Sequence, residues 1–150
     1  MADSLRPQEP ARLAALFGVL GLIPFWTPLI IPLAAPALAP AAEAGQVIYA
    51  ALILSFLGGT RFGRAVDAAG AGRTVALSML PTLYAFAVIG APTPFPGARP
   101  ALLAVGLMLH WLWDARAKTL PATYRRLRMG LTAAAALALL LGAALFSRAG

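Results

Sequence analysis

The chain is predicted to be an all-α bundle of about five transmembrane helices, N-terminus inside and C-terminus outside, and three observations carry that reading. Of its 150 residues 61 % are hydrophobic and only 11 % charged, against ~25 % charged in a soluble domain, which leaves too little polar surface to cover a particle in water. The apolar residues fall into five runs, read against the ~17 to 25 residues that cross a ~30 Å hydrocarbon core. The basic residues sit in alternate connectors between those runs. A soluble globular enzyme is thereby excluded, and so is a disordered chain, which needs low hydrophobicity and high charge.

The first run, residues 12–33, carries Pro24, Pro28 and Pro32, which bend or end a helix near its outer side. Small triplets such as Ala37-Leu-Ala39 after it imitate a secretory cleavage site. A signal core has only ~7 to 15 apolar residues, and Pro40 follows the triplet directly, so a retained helix is expected. The second run covers 46–66. The third, 74–90, is short and holds Pro81, which predicts a kink. Residues 91–100 carry Pro92, Pro94, Pro96 and Pro100 and read as an extended turn. The fourth run covers 100–118 and the fifth 131–146. No fixed-period repeat appears, and residues 1–150 read as a single membrane domain.

Orientation follows from the basic residues. Arg6 and Arg12, then Arg61, Arg64 and Arg73, then Arg116, Lys118, Arg125, Arg126 and Arg128 all fall on one side, leaving Arg99 and Arg148 on the other. Lys and Arg resist translocation, so the ten-residue side is inside. The net charge of +7 therefore points to anionic lipid head groups and insertion, and not to nucleic acid.

Few residues are equipped for chemistry. There is no cysteine and a single histidine, so thiol catalysis, disulfides and cysteine-ligated metal are excluded, one His without a carboxylate cluster at ligand spacing makes a poor metal site, and no cofactor is expected. Ser55 and Ser78 have no base in register, no phosphate-cradling GxxxxGK[ST] occurs, and the chain is expected to be non-enzymatic.

Three groups of residues remain as candidates. Ser55, Gly59 and Gly63 stand four apart, with Gly58 widening the stripe, a small-residue seam that lets helices approach closely in lipid. Taking Gln46 and Pro100 as outer ends, Arg61 and Asp114 lie at ~22 and ~21 Å depth, which pairs them across the second and fourth helices. The competing arrangements are an Asp114–Lys118 pair at i+4 and arginines that snorkel to lipid phosphates. Gly106, His110 and Asp114 share one helix face, suited to a proton relay, to a haem ligand for which a Met would have to be the second, or simply to an interhelical hydrogen bond. Tyr124, Arg125, Arg126 and Arg128 belong to a basic-apolar stretch, 120–129, expected to lie along the inner lipid surface or to meet an acidic partner. Trp111, Trp113 and Tyr124 toward the inside, and Trp26 and Tyr49 toward the outside, fit an aromatic belt.

Three stretches together resemble a known family: Gly21-Leu-Ile-Pro-Phe25; Ile53-Leu-Ser-Phe-Leu-Gly-Gly59 with Arg61-Phe-Gly63; and Tyr124-Arg-Arg-Leu-Arg-Met-Gly-Leu-Thr132. They are similar to the multi-pass proteins of the domain of unknown function 3429 family, which includes animal transmembrane protein 69 and many bacterial homologues. The chain departs from the family's usual pattern at Phe62 and Thr123, where Trp is customary. The resemblance implies a small polytopic protein of bacterial inner membranes or mitochondria, and it brings no catalytic residues. The expected role is a docking or assembly component of a larger membrane complex, with lipid and a membrane-protein partner or a second copy as neighbours. The alternative is a small transporter or channel with Gly106, His110 and Asp114 lining its path.

Overall fold

A computed structural model describes residues 9–93, 95–116 and 122–149. Among these residues the chain is helical and contains no strand. In order the helices are α1 (Glu9–Leu20), α2 (Ile23–Ala34), α3 (Ala39–Ala65), α4 (Gly72–Leu77), α5 (Leu80–Gly90), α6 (Ala98–Ala115) and α7 (Ala122–Ala149).

Each apolar run becomes helical, but prolines redraw the ends. The first is divided into α1 and α2 at Gly21-Leu22, because Pro24 has no N–H to offer the Leu20 carbonyl and its ring crowds that carbonyl. Pro28 and Pro32 remain inside α2 without ending it. After a 3₁₀ turn at Pro36–Leu38, α3 begins at Ala39, seven residues before the expected start at 46. The third run divides into α4 and α5 at Ser78-Met79, just ahead of Pro81, which sits in the first turn of α5. Before α6, Gly97 takes a left-handed backbone, φ +81°, a conformation that costs glycine nothing. The fifth run is longer than expected, since residues 122–130 form the first turns of α7.

Four segments are long and apolar enough to cross a membrane: Glu9–Ala34, Pro36–Ala65, Gly72–Gly90 and Thr123–Arg148. The protein is a multi-pass membrane protein. Helix α6 falls outside that group for an instructive reason. It holds Arg99, His110 and Asp114, yet His110 and Asp114 are among its buried residues. A helix that faces protein instead of lipid can carry polar side chains, provided they are partnered.

The core lies where α2, α3, α6 and α7 meet, with α5 closing one side of α3 and α6. Phe25, Val47, Ala50, Leu54, Leu103, Leu107, Ala138 and Leu139 fill it. Large apolar side chains also point outward, among them Leu33 and Phe86, both about three-quarters exposed. In water such a surface would aggregate; in a bilayer it is the surface that hydrocarbon covers.

Candidate functional site

Near the C-terminal end of α6, Asp114 is buried and gripped from two sides. Arg61, from the last turns of α3, donates from Nε to Oδ1 at 2.7 Å. Arg128, from the second turn of α7, donates from Nε to Oδ2 at 2.6 Å. One carboxylate thus ties three helices. Asp114 is the 17th of 18 residues in α6, which places it beside the C-terminal end of α3 and the N-terminal end of α7.

The two guanidiniums are held by more than charge. Arg61 lies over the Trp113 ring, 3.8 Å from its centroid, and its Nη2 donates to the Trp113 carbonyl at 3.2 Å. Arg128 places Nη2 3.2 Å from His110 Nδ1, and the same imidazole nitrogen is 3.5 Å from Asp114 Oδ2. His110 is one turn before Asp114, so both reach the same space, and its ring meets Trp113 edge-on. Its Nε2 is buried with no hydrogen-bond partner among the described residues. Arg61, His110 and Asp114 therefore come together, and Arg128 joins them.

Arg128 is a correction. Expected on the inner lipid surface with Arg125 and Arg126, it turns inward because a buried carboxylate has room for two guanidiniums, whereas its exposed neighbours do not reach it. Tyr124, Arg125 and Arg126 do remain exposed. Lys118, the rival partner for Asp114, lies outside the described residues. The depth arithmetic is corrected too. From the observed helix starts Arg61 is ~33 Å along α3 and Asp114 ~24 Å along α6. They meet because α3 begins higher up, not because equal lengths of helix precede them.

The small-residue seam separates into two faces. A Cβ on Gly58 would stand 2.6 Å from the Ser78 carbonyl oxygen, so this glycine is the close joint between α3 and the α4–α5 break. At Gly59 and Gly63 a Cβ would meet nothing within 4 Å. Both are exposed and Ser55 is half-buried above them. Gly106, the third member of the candidate polar face, is a packing residue: a Cβ there would come within 2.6 Å of Tyr84 and 2.9 Å of Leu54.

A second polar tie, toward the other end of the bundle, has no counterpart among the expected site residues. Gln46 is fully buried and donates from Nε2 to the carbonyls of Phe25 (2.8 Å) and Ala138 (3.2 Å), joining α3 to α2 and α7. A Cβ on Gly142 would overlap it. An amide side chain inside an apolar run is the signal that marks it. Nearby, a Glu43 oxygen accepts the Gly97 N–H at 3.0 Å. Tyr49, assigned above to the aromatic belt, donates instead to the Gly21 carbonyl at the α1–α2 break and packs edge-on against Phe25. Among the described residues no three His, Cys, Asp or Glu approach one another closely enough to hold a metal.

The family model described as protein of unknown function DUF3429 matches residues 10–144. The chain belongs to the DUF3429 family. That span contains every residue of both polar ties. Neither a curated protein nor a solved structure matches the chain.

Proposed function

We propose that this DUF3429 protein is a non-enzymatic docking or assembly component of a larger membrane complex, acting through the outward stripe of α3. The observation that carries this reading is the empty space at Gly59 and Gly63, four residues apart and in line with Ser55, beside a Gly58 whose space is already filled. Without a hydrophobic drive between helices in lipid, close backbone approach at such a stripe is what favours a partner helix. A partner membrane protein or a second copy is the proposed occupant. The proposed location is the inner membrane of a bacterium, with the Arg64, Arg73, Arg125 and Arg126 end inside.

The rival reading is a transporter using Gly106, His110 and Asp114, and the arrangement lends it less support. Both oxygens of Asp114 are engaged by arginines. Between Gln46 and Arg61 every buried residue of α3 is apolar, and so is every buried residue of α6 between Pro100 and His110.

A photocrosslinking residue at Gly59 tests the docking proposal in native membranes. A crosslink to one transmembrane segment, or to a second copy, lost when Gly63→Leu fills the stripe, is the expected result. Crosslinks to lipid alone would overturn it.

A further inference from the structure

Beside the inner end of the Asp114 cluster is an open cavity of about 150 Å³, lined by Trp111, Asp114, Arg125, Arg126, Arg128 and Met129 among others. We propose that this cavity binds a phosphate group, and specifically the head-group phosphate of an anionic glycerophospholipid. The inference does not depend on docking at α3.

The first ground is charge. Arg61 and Arg128 share one carboxylate, and His110 supplies no negative charge in any protonation state, so the buried cluster carries an unmatched positive charge. A desolvated charge without a counter-ion is costly, the more so at a membrane boundary. Among the described residues Asp114 is the only acidic one lining the cavity, and both its oxygens face arginines. The second ground is that Arg125 and Arg126 have no hydrogen-bonded or ionic partner among the described residues. Three guanidiniums thus border one concavity, and planar forks of N–H donors match phosphate oxygens.

The third ground is size and setting. At about 150 Å³ the cavity is far beyond the ~10 to 15 Å³ of probe volume that admits a single water, room for a phosphate with its ester oxygens. It opens where α6 ends and α7 begins, with Trp111 and Met129 as apolar walls for the glycerol and upper acyl carbons. A phosphate ester dissolved in water would have no use for those walls, which is why the lipid is the favoured source.

Binding of short-chain phosphatidylglycerol and phosphatidylcholine to the purified full chain in detergent, with inorganic phosphate as competitor, tests the proposal. Phosphatidylglycerol is expected to bind at least tenfold more tightly than phosphatidylcholine. The double variant R125Q/R126Q should abolish that preference without changing helicity, because both side chains are exposed and unpartnered. R64Q/R73Q, which removes equal charge from the last turn of α3 and the first turn of α4, should preserve it. Millimolar phosphate displacing the lipid would support the phosphate subsite; phosphate alone binding as tightly as the lipid would keep the subsite and overturn the lipid as its source. Equal affinity for the two lipids, or equal loss of preference in the two double variants, would overturn the site itself.

Discussion

Substituting Asp114 with Asn is the sharpest probe of the Asp114 cluster. The shape is kept, the charge is removed, and an NH₂ group is put where an oxygen was. Asp114 Oδ1 and Oδ2 accept from Arg61 and Arg128 at 2.7 and 2.6 Å. Whichever way the amide turns, one guanidinium donor then faces another donor at hydrogen-bond distance, and two buried positive charges lose their shared counter-charge. Breaking a buried pair by removing one partner costs ~3 to 5 kcal/mol, because the remaining charge stays desolvated. At ~1.4 kcal/mol per factor of ten, the folded-to-unfolded ratio should fall by roughly two to three and a half orders of magnitude. Reversible unfolding in mixed micelles, followed by helicity, measures it. The triple variant Arg61→Met, Asp114→Leu, Arg128→Met should recover most of the loss, since a well-packed apolar replacement of a buried ion network is often neutral or better. A cost below ~1 kcal/mol for Asp114→Asn, or a triple variant as unstable as the single, would show that the three side chains do not act as one tie.

Other outcomes follow from the same geometry. Gly58→Ala should destabilise by ~1 to 3 kcal/mol, because its Cβ meets the Ser78 carbonyl oxygen, whereas Gly59→Ala should be neutral or stabilising by up to ~1 kcal/mol through helix propensity; paired unfolding curves distinguish the two. Gln46→Leu should cost ~1 to 3 kcal/mol by removing donors to Phe25 and Ala138, with faster proteolysis near the α2–α3 turn as a second readout. Gly97→Ala should be more damaging than an ordinary loop substitution, since it combines φ +81° with overlap on the Ala143 backbone; expression and thermal stability in detergent report it. Single cysteines at Glu43 and Arg73 in this cysteine-free chain should react with an impermeant thiol reagent from opposite faces of sealed vesicles, and labelling from one face would refute the alternating topology.

Much of this architecture is legible in the sequence, for physical reasons that also set where legibility stops. Composition and run length are properties of the solvent a segment meets, so a hydrocarbon environment can be read without knowing any contact. The Arg61–Asp114 pair can be anticipated because an acid near the hydrocarbon has few alternatives to a basic partner. Arg128 could not be placed so readily. On sequence it is one of three neighbouring arginines, and only the rotation of α7 separates it from Arg125 and Arg126. The rotation of α3 likewise decides which glycines of 55–63 are internal: Gly58 and Gly59 are adjacent in sequence, yet one is buried and the other exposed. Helix starts are less legible: α3 begins at Ala39, ahead of the apolar run at 46, because proline is favoured in the first turn of a helix and Pro40 sits there.

The two polar ties divide the work of holding the bundle. Gln46 fastens α3 to α2 and α7 at one end, Asp114 fastens α6 to α3 and α7 at the other, and the layer of Ala50, Leu54, Leu103, Leu107, Ala138 and Leu139 between them is apolar and buried. Lipid offers little to choose between one apolar packing and another, so geometrically demanding polar contacts are what fix the rotation and height of each helix. A solute path along Gly106, His110 and Asp114 would have to displace both arginines from Asp114. A partner helix laid along Gly59 and Gly63 need disturb neither, since that stripe faces away from every residue the ties engage.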